Sequence, residues 1–119
     1  MNRDELLQQY QSGKRDFDGV DLRGTDLHGV CLPGINLSTA NLSRVDLSSA
    51  NLDQANLSGA VLSEANLREA SLIEADLSWS DLGLANLSRA DLTGADITMA
   101  ILVRTRLKGT TMPDGSRRR

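Results

Sequence analysis

The 119-residue chain is short of most of what an ordinary globular core is built from. It carries one Phe, one Tyr and one Trp, so no aromatic cluster can organise an interior, and its length is that of a single domain. The single cysteine, Cys31, rules out an internal disulfide and fits a reducing compartment. There is one histidine, His28, and neither a Cys/His zinc spacing nor a Gly-rich phosphate-binding motif. No apolar run reaches the roughly 18 residues of a membrane span, and Met1 to Tyr10 carry charges where a secretory signal has its apolar segment. The expected location is therefore cytoplasmic.

What the chain does have is a period. From Arg15 to Asp114 a large apolar residue recurs at every fifth position, giving twenty centres from Phe17 to Met112, seventeen of them Leu. Two residues before most centres stands a small one, Ala in eleven units, and Asp or Asn directly precedes the centre in fourteen. Five is not a helical period, because 3.6 residues per turn would scatter the Leu side chains around the axis. It is not a plain strand either, since an odd step alternates the faces. A short extended piece followed by a turn in every unit keeps each centre pointing inward, and glycines such as Gly19, Gly24 and Gly94 fall where that turn is expected. The chain then coils, with Leu and Ala inside.

The A-(D/N)-L-x-x units resemble the pentapeptide-repeat family over the whole of Arg15 to Asp114, and more narrowly its Leu-centred cyanobacterial type. The resemblance implies an all-β solenoid, a right-handed quadrilateral β-helix with four units per coil. Twenty units make five coils, roughly 24 Å tall at a strand spacing of about 4.8 Å. Residues 1–14 are read as an N-terminal helical cap. Asn2 and Glu5 form a capping-box pair, Gly13 is a left-handed stop, and a helix over residues 3–12 puts Leu6, Leu7 and Tyr10 on one face against the open first coil. Residues 115–119 are expected to be a disordered basic tail.

With four units per coil, residues twenty apart stack, and the outward positions sort into four faces. The first is acidic, with Asp16, Asp18, Asp76 and Asp96, whereas the third turns basic toward the C-terminus through Arg68, Arg89, Arg106 and Lys108. Residues 15–114 hold eight Lys or Arg against fourteen Asp or Glu, a net of −6. Asp26, His28 and Cys31 are the nearest approach to a catalytic set, but they sit around a convex corner without a pocket to exclude water. Stacked Asp76 and Asp96 offer a hard cation too few of the about six oxygens it needs. No enzyme activity, cofactor, metal site or small-molecule substrate is expected, and the net negative charge argues against direct nucleic-acid binding.

The informative departures are outward apolar residues near the C-terminal end: Trp79, Leu84, Met99, Ile101 and Val103, with Val61 further back. Together they make a candidate protein contact, for a homodimer or another protein through the C-terminal coils, unless the segment from Lys108 to Gly115 folds back over them. The expected function is a non-catalytic protein-protein interaction scaffold of unknown partner. A purely structural module is one alternative. The resemblance supplies another, since some family members mimic duplex DNA as modulators of a type II topoisomerase. B-DNA, however, carries roughly 14 charges over 24 Å at one per about 1.7 Å, and the net charge here is far more dilute.

Overall fold

The computed structural model describes residues 1–119, as one helix, α1 (Arg3–Gln11), followed by a coil that returns on itself every twenty residues. Parallel single-residue bridges join Asp16 to Asn36, Asn36 to Asn56, Asn56 to Asp76 and Asp76 to Asp96, and the other three faces repeat the pattern. Faces 1 to 4 are numbered here by their first centres, Phe17, Leu22, Leu27 and Leu32. Every centre from Phe17 to Leu92 is buried, as are the Ala residues from Ala40 to Ala95, so the interior is a column of Leu layers spaced by small side chains. Ser80, Thr105 and Thr110 stand in for Ala by donating their hydroxyls to the carbonyls of Leu77, Leu82 and Leu87. No buried side-chain polar atom is left without a partner.

Nearly all the backbone hydrogen bonding runs between coils or across turns: of 80 bonds only five belong to α1. The unit around Leu57 shows the pattern. Leu57 N donates to Asp76 O of the next coil (2.7 Å), Asn56 N to Ile35 O of the preceding one (2.9 Å), Gly59 N to Ser78 O (2.9 Å), and Ala60 N closes the turn onto Leu57 O (3.1 Å). The fifth N–H, of Ser58, goes to the side chain of Asn56 at 3.0 Å. This last bond explains the Asp/Asn position. In all fourteen units that carry Asp or Asn, from Asp16 through Asp96, the side-chain oxygen accepts the N–H two residues on. Two exceptions follow the same logic. Cys31 and Thr111 replace Asp/Asn in the units whose residue two on is Pro33 or Pro113, the only prolines in the chain, and proline has no N–H to satisfy.

Each turn holds its third residue at positive φ, and glycine marks only some of these positions. Twelve others, among them Thr39, Gln54, Trp79, Leu84 and Met99, sit between φ 55 and 61. A left-handed L-residue costs of the order of 1 kcal/mol or more. The compensation is visible in the ladder, where the N–H of ten of the twelve reaches the next coil, as Trp79 N does to Thr98 O at 2.9 Å; Met99 and Arg104, on the last coil, are the two that lack it.

The N-terminal end is closed by α1, which ends at Gln11, with Ser12 as its C-cap and Gly13 at φ +107. Asn2 Oδ1 accepts Glu5 N at 2.9 Å, and Leu6 is fully buried against the first coil, with Leu7 and Tyr10 packed beside it. Polar contacts complete the closure. Arg3 Nη1 donates to the carbonyls of Asp26 and His28 (3.1 and 3.2 Å), and the Tyr10 hydroxyl to Pro33 O at 2.6 Å, so edge acceptors of the first coil meet side-chain donors.

The division of labour within a unit sets a paired test. Asn56→Ala leaves the Ser58 N–H without its partner and is expected to destabilise by about 1 kcal/mol, whereas Cys31→Ala, facing Pro33, is expected to stay within about 0.5 kcal/mol of wild type in denaturant titrations. Equal losses at the two positions would remove the assigned role of the Asp/Asn side chain.

Candidate functional site

The C-terminal end has no second helix, and its closure is partial. Residues 115–119 do not form the expected disordered tail. Thr111 pairs antiparallel with Arg117, Arg118 N donates to Thr110 O and Gly109 N to Arg118 O (both 2.9 Å), and Met112 N donates to Ser116 O at 2.7 Å. The last coil presents unpaired backbone groups with no coil beyond them, and the tail satisfies those it can reach. That reach covers the unit centred on Met112 and, in the unit before it, only the Gly109 N–H, so Leu107 N and Thr105 O stay unpaired. The N–H groups of Ile97, Met99, Leu102 and Arg104 and the carbonyls of Ala95 and Ala100 make no backbone hydrogen bond. Beneath that edge the inward Ile97, Ala100 and Leu102 are only half-buried.

The outward apolar residues lie on the same stretch. Met99, Ile101 and Val103 are 61, 48 and 64% exposed, and on the coil below Trp79 and Leu84 are 67 and 55% exposed. Met99 stacks over Trp79 at the corner entering face 2. Ile101 bridges to Asp81, and Val103 O accepts Leu84 N at 2.9 Å. The fold thus gathers these five residues on face 2 and its bounding corners, next to the open edge. Val61 lies two coils below Ile101 and is half-buried, outside the cluster. The segment from Lys108 to Gly115, with the tail behind it, lies over faces 3 and 4 and leaves the apolar residues uncovered.

The residues considered for chemistry are occupied locally. Asp26 Oδ1 accepts the His28 N–H (3.0 Å), the His28 ring meets Ser48 Oγ (2.9 Å), and Cys31 is free and exposed. Asp76 accepts both the N–H and the hydroxyl of Ser78, and Asp96 accepts Thr98 N, so the stacked carboxylates are used within their own turns. No group of three or more His, Cys, Asp or Glu converges as a metal site, and no helix is long and apolar enough to cross a membrane.

Hydrogen bonds within turns and between neighbouring coils depress several carboxyls. Hydroxyl donation from Thr39 and Ser38 lowers Asp18, Arg23 lowers Asp21, the Ser48 hydroxyl and N–H lower Asp46, and Thr98 lowers Asp96. A group whose folded-state pKa is lowered adds stability above its unfolded value, near 3.8 here, and loses it as pH falls through the folded value. The melting temperature is therefore expected to be flat from pH 7 to about 5 and to fall progressively below about 4. A melting temperature that rises on acidification below pH 4 would contradict this sign.

The sequence pattern of pentapeptide repeats matches the chain in eight copies, over residues 16–38, 40–78 and 70–109. Among solved structures, the chain superposes with a TM-score of 0.78 on a pentapeptide repeat protein from the thylakoid lumen of Arabidopsis thaliana. The two are 31% identical, over 84% of this chain and 70% of that one. HetL, a pentapeptide repeat protein involved in heterocyst differentiation regulation in the cyanobacterium Nostoc sp. strain PCC 7120, is 24% identical over 98% of this chain and 99% of its own, with a TM-score of 0.43. Rfr23 from the cyanobacterium Cyanothece 51142 is 29% identical over 98% of both chains, with a TM-score of 0.42. No curated protein matches the chain.

Proposed function

The chain belongs to the pentapeptide-repeat family, and from that premise we propose that it is a non-catalytic scaffold whose C-terminal coils bind a protein surface, either a second copy or another chain. Its fold is the family's right-handed quadrilateral β-helix with one short N-terminal helix. One observation carries the proposal: the stretch from Ile97 to Arg104 combines an unpaired backbone edge with exposed Met99, Ile101 and Val103. An uncovered sheet edge is a template for strand addition, in which backbone bonds supply affinity and alternate side chains supply selectivity. Here the tail already demonstrates the pairing at Thr111, and the apolar side chains lie where an added strand would need flanking contacts. Trp79 is the anchor in this reading, because it is the largest of the exposed apolar side chains and Trp is enriched among residues that dominate binding energy.

DNA mimicry has a weaker basis in the same geometry. A mimic needs a continuous negative rod, and here face 3 of the C-terminal coils carries Arg68, Arg89, Arg106 and Lys108. A cytoplasmic site of action fits the lone exposed Cys31.

Trp79→Glu combined with Ile101→Glu puts charge on the apolar surface without touching the interior. The double variant is expected to keep the wild-type melting temperature. It should also lower the sedimentation coefficient measured at high concentration, or abolish capture of a partner that the wild type retains from its native extract. A wild type that is monomeric at high concentration and captures nothing the variant fails to capture would refute the proposal.

A further inference from the structure

We propose that face 3 of the last three coils, closed on one side by the C-terminal tail, is a binding site for a compact phosphate-bearing anion. The site is a recess of about 510 Å³, within the usual size range of ligand clefts, and no hydrophobic residue lines it. Its walls carry Arg68, Arg89, Arg106, Lys108 and Arg117, so five of the chain's thirteen cationic residues gather in one place on a molecule of net charge −3.

The coil register explains the convergence. Arg68, Ser88 and Lys108 occupy equivalent positions of consecutive face 3 units, so the small Ser88 leaves a gap between two long cations. Arg106 bridges to Asn86 on one side of that column. On the other side Arg89 lies below Gly109, where an added Cβ would come within 3.0 Å of Arg89 Cγ, so the missing side chain is what makes room for the arginine stem. The tail supplies the fifth cation through the antiparallel pairing of Arg117 with Thr111.

These charges are poorly neutralised by the protein. Only Arg89 has a carboxylate within ion-pair range, Glu69 Oε1 at 4.0 Å from its Nη2. Asn86, which also lines the recess, accepts both the N–H (3.0 Å) and the hydroxyl (2.6 Å) of Ser88 at its Oδ1, so its Nδ2 remains as a further donor. Four of the five cations are arginines, whose planar forks match phosphate oxygens two at a time. No aromatic ring is present to stack a base, so recognition rests on oxyanions alone. A long polyanion is disfavoured because the repeat region around the recess is net negative, which leaves a short, densely charged ligand such as a di- or triphosphate group.

The test is a calorimetric titration of the full chain with inorganic tripolyphosphate at low and moderate salt. One-to-one binding that weakens with added salt is expected, and ATP should bind no more tightly than tripolyphosphate. Arg106→Gln with Lys108→Gln is expected to weaken binding about tenfold or more and Arg117→Gln several-fold, while Arg44→Gln, away from the recess, leaves it unchanged. Matching melting temperatures establish that the variants fold. Absence of binding at millimolar tripolyphosphate, or equal losses in the Arg44 and Arg106/Lys108 variants, would overturn the site. Hexaglutamate binding as tightly as tripolyphosphate would overturn its assignment to phosphate.

Discussion

The hydrogen bond that crosses from one coil to the next, twenty residues along the chain, is the interaction on which the rest of this molecule depends. It stacks Leu on Leu and Ala on Ala, so burial follows from register rather than from a search among alternative packings. A slip of one residue would turn the Leu column outward and place Asp and Asn inside, which is why the period runs unbroken from Phe17 to Met112. The ladder also offsets the cost of the left-handed turn residues, since a strained residue whose N–H is held by the next coil has no cheaper conformation that keeps the bond. Stability is accordingly shared between neighbours, as in any stacked solenoid, and each end must replace the coil it lacks.

The two ends solve that problem differently. At the N-terminus a helix brings Leu6 to cover the interior and the side chains of Arg3 and Tyr10 to meet edge carbonyls, so apolar and polar demands are answered by one element. At the C-terminus the chain pairs back onto Gly109, Thr110 and Met112, where Thr110 and Met112 are buried, and leaves faces 1 and 2 of the last coil without a cover. Ile97, Ala100 and Leu102 remain half-buried beneath an unpaired edge, and the outward apolar residues occur on that edge and the coil next to it. Apolar side chains scattered over the stack would call for no explanation. Their gathering where the backbone is also unsatisfied is what gives the surface its functional reading.

Much of this architecture was legible in the sequence because one local rule is repeated twenty times: Leu and Ala declare the inside, and a five-residue step admits only a turning chain. The helix was legible from Asn2, Glu5 and Gly13, whose roles are local. The Asp/Asn pattern was visible as a regularity without its cause, since the bond it makes depends on turn geometry that the pattern alone does not state. Trp79, Leu84 and Met99 could be named as outward residues, yet nothing in their side chains announces a left-handed backbone. The tail was misread for a definable reason. Ser116 to Arg119 have the composition of a solvated end, and what orders them is a backbone edge, which composition does not record.

That edge also links the two surfaces at the C-terminal end. The strand pairing at Thr111 decides how much of the last coil stays open, and the same pairing carries Arg117 to the face 3 recess. A ligand that holds Arg117 against Arg89 and Arg106 adds to the tail's hold on Gly109, Thr110 and Met112, and so confines any added strand to the stretch from Ile97 to Arg104. Without such a ligand, the tail's hold on the last coil is the backbone pairing at Gly109, Thr110 and Met112, with Asp114 accepting the Ser116 N–H and hydroxyl beside it. On the two proposals, protein docking and anion binding at this end would draw on one short segment.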